Sequence, residues 1–165
     1  MGILRMLQRR RNVKALPEHA SPEVIEKLLR GTKSEIRPPE VKHFQFVVIL
    51  IDDKNPEQVP TMISTVMGTL VQHHANISNV TPSLFVALLG VPFPEGNSAD
   101  IRRELVDALL QENGERIRIA HGQCDGAVGT LGGHGRWTYG AVIPGVSGVL
   151  KKLLEIKFGT AVEIC

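Results

Sequence analysis

Two stretches of the chain carry the clearest hydrophobic patterns. Residues Phe44–Ile51 (FQFVVILI) are rich in β-branched and aromatic side chains, which predicts a strand buried on both faces near the centre of a sheet. Further along, apolar residues recur at helical spacing: Val59, Met62, Ile63, Val66, Met67, Leu70 and Val71. Asn55-Pro56 precedes them and predicts the cap and first residue of that amphipathic helix.

Shorter patterns and chain-breaking residues define the other elements. Alternation or β-branched content predicts strands at Asn76–Val80, Ser83–Leu89, Arg116–Cys124, Trp137–Ile143 and Thr160–Ile164. Two more helices are expected. One is capped by Ser98 and has an inward face of Ile101, Leu105, Val106 and Leu109. The other follows Pro144-Gly145 and has an inward face of Val146, Val149, Leu150, Leu153 and Leu154. The order β-α-β-β-α-β plus β-α-β predicts an α+β fold with a ferredoxin-like, helix-covered, mostly antiparallel sheet.

The chain divides into three predicted parts. Residues 1–16 form a basic N-terminal tail without acidic side chains before Pro17, residues 17–43 a short helix and connector, and residues 44–165 the main domain. We interpret the tail as a solvated segment or helix start. A weak anchor for acidic lipid or for a partner helix is the alternative, and membrane contact by the tail is not expected.

Composition narrows the functional classes. The net charge of +2 is too small to indicate a nucleic-acid partner. Cys124 and Cys165 show neither metal-ligand spacing nor a disulfide framework, so free thiols and a cytoplasmic location are expected. The longest apolar run, Phe46–Ile51, is far shorter than the ~20 residues that span a membrane.

Four segments together resemble one family, the class III nucleotide cyclases, which comprise adenylate and guanylate cyclase catalytic domains. VVILID at Val47–Asp52 is similar to the family's first strand, which ends in an aspartate. His73–Pro92 resembles the family's hairpin, Ile117–Gly132 its Ile-Arg-Ile-Gly-Ile-His segment, and Trp137–Leu153 its last helical segment. The resemblance runs from about Pro17 to the C-terminus and makes residues 44–165 a cyclase-like domain.

The resemblance implies a metal site that this chain has lost in part. Cyclisation of a nucleoside triphosphate is an in-line attack assisted by two divalent ions, which the family holds with two aspartates on neighbouring strands. Asp52 matches the first aspartate, whereas the neutral Ser83 matches the second. Asp53 should point to the opposite face as a solvated acid, and Asp52 could instead cap the helix at Pro56.

Other positions of the family site are also substituted. Gly148 and Lys152 stand where the resemblance places an asparagine and an arginine that orient ribose and phosphate. Asn79 matches one base-selecting position, and Gly140 or Ala141 the other. In the loop that contacts phosphate, Pro56 lacks an amide and Glu57 adds a negative charge. The simpler interpretation of Lys152 is a solvated helix residue, and that of Asn79 a turn residue.

No second chemical motif competes with this interpretation. His73, His74, His121 and His134 do not form a metal-ligand pattern. The glycine-rich stretch Gly126–Gly135 lacks the Lys-Ser/Thr of a phosphate-binding loop, and the resemblance assigns it to a mobile dimer-forming arm.

We therefore predict a catalytically inactive nucleotide-cyclase-like domain that acts in signalling by dimerisation or partner binding. The partner would be a second copy, or a cyclase-type domain that borrows Asp52 or Lys152. The alternatives are a regulatory domain that binds a nucleotide or small ligand in the interfacial cleft, a cyclase with an altered metal site, and an unrelated ferredoxin-like interaction domain. No cofactor is expected, and Mg²⁺ or Mn²⁺ would matter only for residual cyclase activity.

Overall fold

The computed structural model describes residues 39–92, 94, 97–133 and 136–164. The basic tail and the short helix predicted before residue 39 lie outside the described residues. The first strand begins at Glu40, within the segment that the sequence predicts as a connector.

The described residues form three α-helices and six strands. In chain order they are β1 (Glu40–Ile51), α1 (Val59–Gln72), β2 (Asn76–Thr81), β3 (Leu84–Leu89), α2 (Ala99–Asn113), β4 (Ile117–Gly133), β5 (Arg136–Ala141), α3 (Val146–Glu155) and β6 (Ala161–Ile164). The strands form one sheet in the order β2-β3-β1-β4-β5, and β6 pairs with β4. Only the β4–β6 pairing is parallel among the described strands, so the predicted α+β, mostly antiparallel architecture is confirmed.

Strand β1 carries apolar residues at consecutive positions because helices cover the sheet on both faces. One core cluster lies between the sheet and helices α1 and α2, and includes Val47, Ile49, Ile51, Val66, Leu70, Phe85, Leu105, Leu109, Ile117 and Ile119. The other lies under α3, and includes Phe44, Phe46, Val48, Leu88, Ala120, Val128, Val149 and Leu153. Odd-numbered residues of β1 therefore face α1 and α2, and even-numbered residues face α3.

Helix α1 begins at Val59 rather than at Pro56, so the predicted start is wrong. Gln58 is the N-cap and makes no side-chain capping bond. The position of Pro60 explains the shift. A helix that began at Pro56 would place Pro60 in its interior, where it would lack an amide donor and clash with the preceding turn, whereas a start at Val59 keeps Pro60 in the first turn.

Helix α2 follows its predicted signals, and α3 departs from them. The Ser98 side chain accepts a hydrogen bond from the Ile101 amide, and Gly114 ends α2 with a φ of 55°. In α3, Val149 and Leu153 are buried as predicted, but Val146 and Leu154 are exposed. Because each residue turns a helix by about 100°, Leu154 lies well to the side of the stripe centred on Val149 and Leu153.

Strand β4 is 17 residues long and joins two segments that the sequence analysis treats separately, Arg116–Cys124 and the glycine-rich arm. Its first half pairs with β6 and its second half with β5. Gly122 is the last residue paired with β6, and Gly126 lies between the two pairings. A Cβ atom at Gly122 would lie 2.5 Å from the Ile164 carbonyl oxygen, and one at Gly126 would lie 2.3 Å from the Val142 carbonyl oxygen. These glycines let the neighbouring backbone approach β4 closely.

We expect Gly126→Ala to lower the free energy of unfolding by about 1–3 kcal/mol, the usual cost of overpacking a core position. The added methyl group would meet the Val142 carbonyl and, at 2.9 Å, the Phe44 ring. Gly68→Ala in α1 is the matched control, because a Cβ there meets nothing within 4 Å. That variant should be neutral or more stable by up to about 1 kcal/mol. Urea unfolding measures both, and equal effects of the two variants would contradict the close approach at Gly126.

Candidate functional site

The end of β1 meets the β2–β3 hairpin and the start of β4 at one corner of the sheet. The Ile51 amide donates to the Ser83 carbonyl oxygen at 2.8 Å, and the Asp52 amide donates to the Arg116 carbonyl oxygen at 2.8 Å. Three polar side chains gather there: Asp52, Asp53 and Ser83, which we call the acidic corner. The backbone at this corner is fixed by strands on both sides of β1.

Within the acidic corner, Asp53 rather than Asp52 is bonded to the serine. The Ser83 hydroxyl donates to the Asp53 carboxylate at 3.4 Å. Strand alternation explains the contact, because Asp53 continues the odd-numbered face of β1 and Ser83 the face of Phe85 on β3. The motif resemblance places Asp52 and Ser83 together as metal positions, whereas the hydrogen bond of Ser83 goes to the neighbouring aspartate.

Asp52 stabilises a local turn and is not a helix cap. Its carboxylate accepts a hydrogen bond from the Lys54 amide at 3.2 Å, the pattern of an Asx turn. Helix α1 starts seven residues later in the sequence than Asp52, at Val59, so the predicted capping role for Asp52 is wrong.

The loop before α1 offers few amides to an anion. The Lys54 amide already donates to the Asp52 carboxylate, and the Gln58 amide donates to the Asn55 carbonyl oxygen at 3.1 Å. Pro56 has no amide hydrogen to donate. Glu57 is exposed in the same loop. A phosphate at this helix start would therefore meet a carboxylate and only part of the amide cradle that helix N-termini provide.

Gly148 and Lys152 lie one turn apart on α3, and both are exposed. A Cβ atom at Gly148 would meet nothing within 4 Å, so there is space for a larger side chain at this position. Lys152 can present its ammonium group to a ligand or a partner, but it lacks the planar fork of an arginine.

Arg118 holds the C-terminal end of α3 against the sheet. One guanidinium nitrogen donates to the carbonyl oxygens of Leu154 at 3.0 Å and Ile156 at 3.2 Å. Carbonyl groups at the C-terminal end of a helix have no partner within the helix, so these bonds cap α3. The guanidinium also stacks on the Phe158 ring, 4.7 Å from its centroid. Arg118 pairs with Leu50 in the strand register, so it places this end of α3 at the end of β1 that carries the acidic corner.

The base-selecting positions lie on two different strands. Asn79 is in β2, where its backbone pairs with Phe85 before a register shift, so it belongs to the strand rather than to the turn. Gly140 and Ala141 are in β5 and pair with Gly129 and Val128 of β4. The role of Asn79 in base selection stays a prediction.

Other chemistry is limited among the residues that the structure describes. No three His, Cys, Asp or Glu side chains of that set lie close enough to hold a metal ion together. Cys124 is free and half-buried, and burial followed by the nearby Asp125 raises the pKa of its thiol, which disfavours the nucleophilic thiolate. No described helix has the length and apolar character to cross a membrane.

A buried polar group on the α1–α2 face of the sheet was not predicted from the sequence. We call it the arginine cluster: Gln45 on β1, Arg102 on α2, His121 on β4 and Glu163 on β6. Arg102 is 1% exposed, donates to the Gln45 side-chain oxygen at 2.7 Å and forms an ion pair with Glu163. A signal was present, because Arg102 precedes the inward residues Leu105 and Val106 by one helical turn.

Solved structures of nucleotide cyclases resemble this chain in fold. The guanylyl cyclase Cya2 matches with a TM-score of 0.63 and 16% identity over 77% of each chain. The guanylate cyclase domain of RhGC from Catenaria anguillulae, solved in complex with GTP, matches with a TM-score of 0.61 and 13% identity over 74% of this chain and 78% of that one. The adenylyl cyclase CyaB from P. aeruginosa matches with a TM-score of 0.54 and 12% identity over 75% and 78%.

One further match extends over more of the chain. A bacterial light-regulated adenylyl cyclase matches with a TM-score of 0.67 and 10% identity over 93% of this chain, which spans 51% of that protein. No protein-family model and no curated protein matches the sequence. The described residues therefore have a class III nucleotide-cyclase-like fold, in agreement with the motif resemblance, and identities at this level show the fold alone.

We expect Arg118→Met to lower the free energy of unfolding by about 1–3 kcal/mol, because the C-terminal carbonyls of α3 would lose a charged donor. Arg116→Met is the matched control, since Arg116 lies immediately before the same strand with an exposed side chain. It should change stability by less than about 0.5 kcal/mol. Urea unfolding gives both values, and a neutral Arg118→Met variant would show that the cap does not hold α3.

Proposed function

We propose that this chain is a catalytically inactive nucleotide-cyclase-like domain that acts in signalling by binding a partner domain. The partner is a second copy of the chain or another cyclase-type domain, and no metal or nucleotide is needed for the contact. The fold and the acidic corner support the first half of the proposal, and the exposed apolar residues support the second.

The observation that carries the loss of catalysis is the hydrogen bonding of the acidic corner. One aspartate accepts from a serine that stands where the resemblance requires a carboxylate, and the other accepts from a backbone amide. A divalent ion such as Mg²⁺ prefers several hard oxygen ligands in fixed geometry, and a hydroxyl is a much weaker ligand than a carboxylate. Gly148 adds no polar group on α3, and Lys152 provides only a point charge.

Apolar surface on the α3 side of the sheet supports a partner. Among the described elements, only the 10-residue α3 covers this face, whereas α1 and α2 share the other. Leu50, Leu84 and Val86 are only partly buried there, next to the acidic corner. Val142, 52% exposed, and Leu154, 61% exposed, lie on the connection to α3 and on α3 itself. A second cyclase-type domain would remove this apolar area from water.

The first test is whether the natural chain responds to nucleotide and metal. We expect no cyclic nucleotide above the protein-free background, and no shift of the melting temperature, with millimolar ATP or GTP plus Mn²⁺. Formation of cyclic product would contradict the loss of catalysis. A thermal shift without product would instead favour the alternative of a nucleotide-binding regulatory domain. A triple variant, Ser83→Asp, Gly148→Asn and Lys152→Arg, should still fold, since Gly148 and Lys152 are exposed.

The substitution Ser83→Asp asks separately whether a carboxylate restores metal binding at the corner. Near Asp53 the new charge should lower the melting temperature without metal, and Mn²⁺ should raise it again. A dissociation constant of 0.1 mM would give about 1.4 kcal/mol of stabilisation at 1 mM metal. Adding Asp53→Asn should abolish the Mn²⁺ effect, whereas adding Asp52→Asn should weaken it less. The reverse order would assign the metal position to Asp52.

The partner surface is tested by changing one exposed apolar residue. Leu154→Glu should weaken self-association, or capture by a cyclase-type partner, by at least tenfold because a charge would be buried at the contact. Gln111→Glu on the exposed side of α2 adds the same charge on the other face and should change nothing. Analytical ultracentrifugation measures the association. A natural chain that stays monomeric at high concentration would contradict the homodimer and leave the heterotypic partner as the form to be measured.

A further inference from the structure

The arginine cluster contains a nearly complete hydrogen-bond network in a buried position. The Arg102 guanidinium joins Gln45 on β1 to Glu163 on β6. The Gln45 side-chain nitrogen in turn donates to the side-chain oxygens of Asn97 at 3.3 Å and Gln123 at 3.4 Å. A buried guanidinium is strongly destabilising without a counter-charge, so the position of Glu163 on the last strand matters to the whole network.

His121 lies within this network. In the strand register it stands between Val47 of β1 and Glu163 of β6. It is 7% exposed, and its Nδ1 atom has no hydrogen-bond partner. The Arg102 Nε atom is also buried and unpartnered. The single carboxylate of the cluster is therefore already paired with one buried cation, and burial beside that cation favours the neutral form of the imidazole.

Strand β6 is the least buried of the strands whose side chains are fully described. Among the strands that the structure describes it pairs with β4 alone, at four residues from Ile119 to Gly122. Its four residues are half-buried or exposed, and the Glu163 side chain is 45% exposed. Elements with few buried contacts open locally at a lower free energy than the core. The bond from Arg102 to Glu163 is thus a principal tie between this strand and α2.

We propose that Arg102, His121 and Glu163 form a pH-sensitive clamp that holds β6 on the sheet in neutral solution and releases it when His121 becomes protonated. An imidazolium at this position would be a second buried cation next to one shared carboxylate. Moving β6 away removes Glu163 from the side of His121 and lets water reach the imidazolium. Release would also leave the edge of β4 from Ile119 to Gly122 with unpaired backbone groups, which a strand of a partner could bind.

The charges around His121 determine the direction of the effect. Burial, followed by Arg102, lowers the pKa of His121, and Arg103 on α2 acts in the same direction. Glu163 on β6 and Asp107 on α2 raise it and only partly compensate. Val47 and Ile119, the neighbouring residues on the sheet, carry no charge. His121 therefore binds its proton less readily in the closed clamp than in water.

The sign of the pH dependence follows from this lowered pKa. An exposed histidine has a pKa of about 6.5, so the opened state takes up the proton first as the pH falls. The stability of the closed clamp is complete above that value. It is lost as the pH falls from there through the lower pKa of the closed state. One proton allows the population of the open state to rise by at most about tenfold per pH unit.

Hydrogen exchange on the full chain tests the clamp. Protection factors, which are corrected for the intrinsic effect of pH on exchange, should be measured between pH 7.5 and 5.0. We expect the protection of the Ala161–Ile164 amides to fall by roughly tenfold or more over this range. Amides of Val47, Val48 and Ile49 on β1 should change much less, because they belong to the core and not to the released strand.

Two variants separate the clamp from general acid destabilisation. His121→Gln keeps a polar side chain but cannot be protonated, so the protection of β6 should no longer depend on pH. Glu163→Gln leaves Arg102 without its counter-charge, so β6 should already be less protected at pH 7.5. Glu104→Gln, an exposed position on the same helix as Arg102 that is not among the charges acting on His121, is the control and should keep the natural pH profile nearly unchanged.

The outcomes that overturn the proposal are distinct. Constant protection of β6 between pH 7.5 and 5.0 in the natural chain would exclude the clamp. An identical loss of protection in His121→Gln would assign the pH response to other groups. Equal loss in β6 and in the core residues of β1 would mean global unfolding rather than strand release.

Discussion

Strand β1 is paired on both edges and buried on both faces, and the rest of the molecule depends on that placement. Its register with β3 and β4 is continuous from Gln45 to Leu50 on both sides. A slip of one residue would turn the whole apolar set of one face towards the other, so the register is strongly fixed. That register sends Asp52 and Asp53 to opposite sides at the end of the strand, and it brings Gln45 beneath Arg102 at the other end.

The sequence predicts the elements well where the information is local. The alternation of apolar residues, the Ser98 cap and the Gly114 stop describe features within a few residues of each other, and the structure follows them. The start of α1 was predicted wrongly because two prolines compete. Pro56 has the sequence context of a first helical residue, but Pro60 is compatible with the helix only when it lies in the first turn. A prediction based on Pro56 alone does not include the constraint from Pro60.

The polar sites were less predictable because they depend on contacts between distant residues. Arg102 and Glu163 are separated by 61 positions, and nothing near Arg102 in the sequence indicates a counter-charge. A charged residue on an amphipathic helix is ordinarily exposed, so the helical pattern alone does not identify Arg102 as buried. The hydrogen bond within the acidic corner could not be predicted for a related reason. The order of the motifs pairs Ser83 with Asp52. The Ser83 hydroxyl donates instead to Asp53, because the side chains of Ser83 and Asp53 emerge on the same face of the sheet.

Strand β4 connects the two polar sites, and its side-chain alternation keeps them separate. Arg118 points to the α3 side and His121 to the α2 side, only three positions apart. The segment that leads into β6 is also tied to β4, through the Gly159 amide on the Ile117 carbonyl oxygen and the Ile119 amide on the Thr160 carbonyl oxygen. Release of β6 would therefore have to break these two hydrogen bonds before it could disturb Arg118. Since Arg118 holds the end of α3 through its own contacts with Leu154 and Phe158, helix α3 can keep its place while the last strand moves.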